Sequence, residues 1–310
     1  MANLKEIRVR IASVNSTKQI TSAMKMVSAA KLRRAQDAIV RMRPYAQKLR
    51  EILDNVSASV DSSEGNSYSV SRPVKNVLII AVTSNRGLCG GFNSNVMKAT
   101  RNLIATKYAD QNIAGNVKII TIGRKAFEYF KNNNYKVVAN HSDVYDNIQF
   151  ASVAAIAEKI MQDFSKKEYD KVELIYNQFK NAAVQILKVE PYLPVISSQS
   201  SAVVDKTGGH VGQAVSPLRG DGRGVDYIFE PSTEYIVQDL IPRSLKVQLY
   251  KAVLDSNAAE HGARMTAMHK ATDNATDMVK QLKLHYNKAR QAAITKEILE
   301  IVGGAEALNG

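Results

Sequence analysis

The first stretch with residue types suited to chemistry is a glycine-rich turn, RGLCGGFNSN at 86–95. It follows an apolar run and precedes a helix-forming segment, which is where phosphate-binding turns stand in nucleotide folds. Its glycines, Gly87, Gly90 and Gly91, read G-x-x-G-G. That is neither the dinucleotide spacing nor the Walker pattern, and no Lys-Ser/Thr pair follows, so the turn reads as structural. Cys89 lies inside it. A nucleophilic thiol needs a histidine base and a group to orient that base. Apart from His210 in a glycine- and serine-rich stretch, His141 is the only histidine between the two terminal segments, and no neighbouring motif places it. Cys89 therefore reads as a small buried thiol. His261, His269 and His285 are separated by 8 and 16 positions, not by the four of a helical metal pair. His261 falls on an apolar stripe and reads as a packed side chain. No carboxylate pair and no Ser/His/Asp set stands out, so no catalytic residue, cofactor or metal site is assigned. On residue chemistry alone the chain reads as a mechanical or scaffolding protein.

The elements that carry these residues are unusual. The first sixty or so positions contain no glycine and one proline, Pro44. They are dominated by good helix formers, and a helix from Ala2 to Ser57 would be roughly 80 Å long. Leu4, Ile7, Ile11 and Val14 follow coiled-coil spacing. Lys18 then interrupts the seam, and Ile20, Met24 and Val27 fall on nearly the opposite side, so pairing is expected near one end with other neighbours further along. Twelve basic residues stand against two acidic ones, Glu6 and Asp37, in the first fifty positions, and they go all the way round the helix. A membrane-surface helix would keep its charge on one face. A cylinder enclosed by acidic walls, a nucleic-acid arm or a solvated coiled-coil exterior all fit.

A second helix of about 60 residues, roughly 90 Å, is expected from Arg243 to Val302, ended by Gly303 and Gly304. Its seam is Tyr250, Leu254, Asn257, His261, Met265, Met268, Thr272, Ala275, Val279, Leu282, Tyr286, Ala289 and Ala293, spaced by threes and fours throughout. Between the two helices the period changes. Strands are expected at 74–82, 117–122, 135–140 and 171–179, alternating with helices, which implies a mainly parallel sheet with helices on its faces. The segment 181–192 follows so closely that it should pair antiparallel. The fold class is therefore α/β: a long antiparallel coiled coil of the N- and C-terminal helices plus a central Rossmann-like α/β domain. The expected units are the first helix at 1–60, a linker at 61–75, the α/β domain at 76–231 and the C-terminal helix at 232–310. Within the domain, 197–225 reads as a mobile loop and 226–232 as a short strand, with Ser232 as N-cap of the helix that follows.

The chain has 310 residues and a formal net charge of +13, which favours acidic partners. Its one cysteine excludes an intramolecular disulfide and suits a reducing compartment. The longest apolar run, Val77 to Val82, is too short to span a membrane, and no signal peptide is expected. Tryptophan is absent and aromatics make up 6%, which weakens a base-stacking function.

Several long segments decide between these readings. They are KEIRVRIASVNSTKQITSAMKMVSAAKLRRAQ at 5–36, RPY at 43–45, NRGLCGGFNSN, YIFEPS and the C-terminal ARMTAMHKATDNATDMVKQLKLHYNKARQAAITKEILEIVGGAEAL. They closely resemble the gamma subunit of F-type ATP synthase, over essentially the whole chain. The resemblance implies a non-catalytic rotor shaft within an alpha3beta3 hexamer, driven by a ring of c subunits and bound by an epsilon subunit. Membrane association would be indirect, through the c-ring, on the cytoplasmic face of a bacterial inner membrane. Carried over by position, Met24 and Lys25 would face an acidic loop of beta. Arg264, Arg290, Gln291, Thr295 and Glu297 would engage the beta subunits. Ile294, Ile298, Leu299, Ile301 and Val302 would form an apolar bearing tip, and Tyr227 and Glu230 would meet the c-ring. Phe229 stands where the family has tyrosine. The paired regulatory cysteines of the chloroplast type are absent. The rival is a basic coiled-coil protein that binds nucleic acid, and a third reading is a nucleotide-binding α/β enzyme with helical arms.

Overall fold

A computed structural model describes residues 4–59, 68, 72–195 and 233–309. Helix α1 spans Leu4–Ser59 and helix α6 spans Thr233–Asn309. Between them lie β1 (Val77–Val82), α2 (Phe92–Lys107), α3 (Ala109–Ile113), β2 (Val117–Ile122), α4 (Arg124–Asn132), β3 (Val137–Asn140), α5 (Phe150–Ser165), β4 (Lys171–Phe179) and β5 (Gln185–Leu193). The strands form one sheet in the order β3-β2-β1-β4-β5. The first four are mutually parallel and β5 runs antiparallel to β4. β1 is buried at all six positions, as a central parallel strand covered on both faces must be. One face carries α5 and α6, packed through Phe164, Ile160, Leu245 and Leu249. The other carries α2 and α4, packed through Val96, Ile104 and Phe130.

The crossover after β2 turns at Gly123, whose φ is +114° and where a Cβ would run into the Thr83 carbonyl oxygen. Only glycine fits such a position. A third apolar cluster joins both long helices to the C-terminal edge of the sheet: Leu32, Ala35 and Ile39 from α1, Leu254, Ala258 and Ala259 from α6, and Cys89, Phe92 and Phe179 from the domain.

The long helices pair antiparallel. Arg8 donates to Tyr286, Thr272 donates to Thr21, and Arg43 lies beside Asp255. Every position of the expected α6 seam from Tyr250 to Ala293 is buried or half-buried. On α1 the seam does not stop at Lys18. It continues through half-buried Lys18, Thr21 and Met24 to buried Ser28, Leu32, Ala35 and Ile39, whereas Ile20 and Val27 are exposed. The reason is chemical: hydroxyls and a lysine stem can line a seam when each polar group is satisfied. The Thr272 hydroxyl lies 2.9 Å from that of Thr21, and the Ser28 hydroxyl returns to the Met24 carbonyl at 2.8 Å.

α6 is also longer than expected. It begins at Thr233, passes through Pro242 and continues past Gly303 and Gly304 to Asn309. Buried Ile241 and Leu245 on either side of the proline anchor that first part to the core. The expected 197–225 loop, the 226–232 strand and the Ser232 cap lie outside the described residues.

Candidate functional site

The expected interaction residues fall into separate zones along the shaft. Residues on α1 and α6 face one another at positions summing to about 294, as the pairs 8/286 and 21/272 set it. Met24 and Lys25 therefore lie level with about residue 270. Both are half-buried, Met24 in the seam and Lys25 beside it. Arg290, Gln291, Thr295 and Glu297 are all exposed and begin about 30 Å further along, at 1.5 Å per residue.

Among the described residues, none of α1 stands opposite α6 beyond residue 290, and α6 extends about 30 Å past that level. This end carries Ile294, Ile298, Leu299, Ile301 and Val302, all exposed. Large apolar side chains clustered in water mark an interaction surface. Thr295 keeps its hydroxyl on the Gln291 carbonyl at 2.9 Å. Tyr227 and Glu230 lie outside the described residues.

Arg264 is placed differently from the other expected contacts. It is 8% exposed and faces the domain. Its Nη1 is 2.7 Å from Oε1 of Glu260, one turn earlier. Its Nη2 donates to the Arg86 carbonyl at 3.1 Å and its Nε to the Gly87 carbonyl at 3.3 Å. Burial raises the Glu260 carboxyl while Arg264 opposes that shift. His261 is pushed down to about 4, first by burial and then by Arg264 and Lys31, so it is neutral at pH 7.

The glycine turn is thus occupied by protein. Ser84 is engaged within it: its backbone N–H donates to Asn93 Oδ1 and its hydroxyl donates to the Arg86 carbonyl. The Cys89 thiol accepts from Asn93 Nδ2 at 3.2 Å, and burial pushes its pKa up, which is the opposite of nucleophile activation. His141 is lowered chiefly by burial. Among the described residues no group of three or more His, Cys, Asp or Glu side chains is placed to hold a metal. None of their helices is long and apolar enough to cross a membrane.

Sequence reasoning did not single out Asp255 or Glu260, and it noted Arg43 only within the RPY motif and among the basic residues of α1. Asp255 is fully buried on α6, with Arg43 Nη2 at 3.9 Å, and its two oxygens have no hydrogen-bond partner among the described residues. The signal available was two carboxylates, Asp255 and Glu260, on an alanine-rich stretch of helix. Beside this region a cleft of about 260 Å³ opens between the helices, lined by Lys31, Arg34, Tyr250, Asn257 and His261 over an apolar floor.

The family model described as ATP synthase matches residues 3–308. The ATP synthase gamma chain of Flavobacterium johnsoniae is 56% identical over 310 residues, covering all of both chains. The chain belongs to the ATP synthase gamma-chain family. Gamma chains from Christiangramia forsetii and Cytophaga hutchinsonii are 53% and 52% identical, again over the full length of each. Solved structures share the fold. A Euglena gracilis mitochondrial ATP synthase rotor chain aligns with a TM-score of 0.63 at 21% identity, covering 94% of this chain and 98% of that one. A Tetrahymena thermophila chain from a central stalk and c-ring structure aligns at 0.55 and 24% identity, covering 81% and 99%. A gamma chain is a subunit of the ATP synthase complex, and nothing among these relatives supports the nucleic-acid reading.

Proposed function

We propose that this chain is the central rotor of an F1 sector, turning inside an alpha3beta3 hexamer and coupling c-ring rotation to ATP synthesis or hydrolysis at alpha/beta sites. It performs no chemistry itself. The observation that carries this reading is the far end of α6, whose apolar belt is exposed among the described residues beyond a basic antiparallel pair. Such an end needs a sleeve, and a basic shaft suits a sleeve with acidic loops. The structural relatives, described as a rotor and as a central stalk with its c-ring, support it.

In this reading Met24 and Lys25 meet an acidic loop of beta, and Arg290, Gln291, Thr295 and Glu297 engage beta further up. Ile294, Ile298, Leu299, Ile301 and Val302 turn in an apolar bearing. Tyr227 and Glu230 meet the c-ring, and the epsilon subunit binds the α/β domain. Membrane association is then peripheral, on the cytoplasmic face, through the c-ring. Exposed ion pairs contribute about 0–1 kcal/mol each, so many weak contacts hold the shaft at every angle without locking it. The test is the composition of the native complex. One copy of this chain per three alpha and three beta subunits is expected, and isolation of the chain with nucleic acid and without those subunits would overturn the reading.

A further inference from the structure

In open parallel sheets a ligand binds outside the carboxyl ends of the strands, where the strand order reverses. Here that point lies between β1 and β4, and α6 crosses it. On the β1 side Arg264 holds the Arg86 and Gly87 carbonyls. On the β4 side Thr266 Oγ1 donates to the Ala182 carbonyl at 3.1 Å. Between the two, Gly262 lets the helix approach so closely that an added Cβ would lie 3.0 Å from that same carbonyl oxygen. The helix backbone and the side chains of Arg264 and Thr266 fill the place where other folds of this type keep a nucleotide.

We propose that Arg264 is a positioning residue that fixes the rotational phase of the helix pair against the α/β domain. The inference rests on the rotor reading above. In that reading, torque enters through the domain and leaves through the helices, so the junction between them must not slip.

The chemistry of the contact suits this role. A guanidinium presents several donors in a rigid fork, and here the fork spans two successive carbonyls of one loop. The loop is itself braced: the Arg86 carbonyl also accepts from Ser84 Oγ at 2.6 Å, and Asn177 donates to the Phe92 carbonyl at 3.0 Å. Glu260, 6% exposed, neutralises the guanidinium from the same helix. The ion pair is thus internal to α6, while both carbonyls belong to the domain. Small side chains around it, Ala258, Ala259 and Ala263, supply contact area but no directional hold. Among the described residues, only Arg264 and Thr266 make hydrogen bonds from this stretch of α6 to the sheet edge.

The experiment uses the assembled F1Fo complex in inverted membrane vesicles. Wild-type complex is measured first, and absence of the chain from it would refute the rotor reading rather than this one. In Arg264→Gln, ATP hydrolysis is retained while protons pumped per ATP fall by about threefold or more, within the range that coupling mutations produce. Arg264→Lys, which keeps the charge but cannot span both carbonyls, gives a smaller fall and serves if the glutamine variant fails to assemble. Adding Ala182→Cys and Thr266→Cys to the same background allows a disulfide across the joint. Oxidation should restore pumping per ATP to within about twofold of wild type, and reduction should remove the gain. Unchanged pumping in both single variants would overturn the proposal. So would a deficit that persists once the cross-link has formed, since Arg264 would then act on another subunit.

Discussion

At the scale of single residues, Asp255 is the least well-accommodated group in the shaft. Its carboxyl is pushed up to about 6, first by burial and then by Glu190, against the opposing pull of Lys251 and Arg43. Arg43 is shared, because its Nη2 also donates to the Phe179 carbonyl at 3.3 Å. A carboxyl whose folded pKa exceeds its unfolded value binds its proton more tightly when folded. The stability it confers is therefore full below about pH 4 and is lost as pH rises through about 6. Asp255→Asn should raise the urea midpoint at pH 8 by an amount equivalent to roughly 1–3 kcal/mol, the energy that such a displacement of the carboxyl represents, and should make no difference near pH 4. A less stable variant at pH 8 would mean that the Arg43 attraction outweighs desolvation. Gly123 provides a second test. Gly123→Ala has to displace the Thr83 backbone at the carboxyl end of β1, and should cost about 3 kcal/mol or more. Soluble, cooperatively unfolding variant protein with a wild-type midpoint would refute that.

At the scale of elements, the α6 seam could be read from spacing because every member, whether Leu254, His261 or Ala289, faces inward at regular intervals. The antiparallel β5 could be read from its short link to β4. The α1 seam could not be followed past Lys18, because Thr21 and Ser28 carry no apolar signal and their hydroxyl partners are visible only in three dimensions. The role of Arg264 was hidden for a related reason: its acceptors are backbone carbonyls 177 and 178 positions away, and no side-chain pattern marks them. Gly303 and Gly304 looked like a stop signal, yet α6 runs through them, and a methyl group added at either would have open space for 4 Å around it. Replacing both by alanine should meet no clash and should add up to about 1 kcal/mol of helix propensity at each site. Slower amide hydrogen exchange over 296–306 in the free chain would show it, and unchanged or faster exchange would mean that the helix end is not limited by propensity.

At the scale of the whole molecule, charge and shape act together. The shaft is basic on all sides, and its proposed contacts are weak and many. Lys25→Glu or Arg290→Glu should therefore leave the fold and its melting point nearly unchanged while lowering ATP-driven pumping in the assembled complex. Full pumping in either variant would remove that residue from the coupling set. The antiparallel register also orders events in time. Arg8 meets Tyr286 across 278 positions, whereas Thr21 meets Thr272 across 251, and the cost of closing a chain grows with the length closed. The α/β domain, built from short crossovers, can form while the chain is still being synthesised. The helix pair then zips outward from the domain, and its far end closes last. A ribosome that stalls a few dozen codons before the end leaves α1 with a naked stripe and no partner, so the first residues made are the last to be protected.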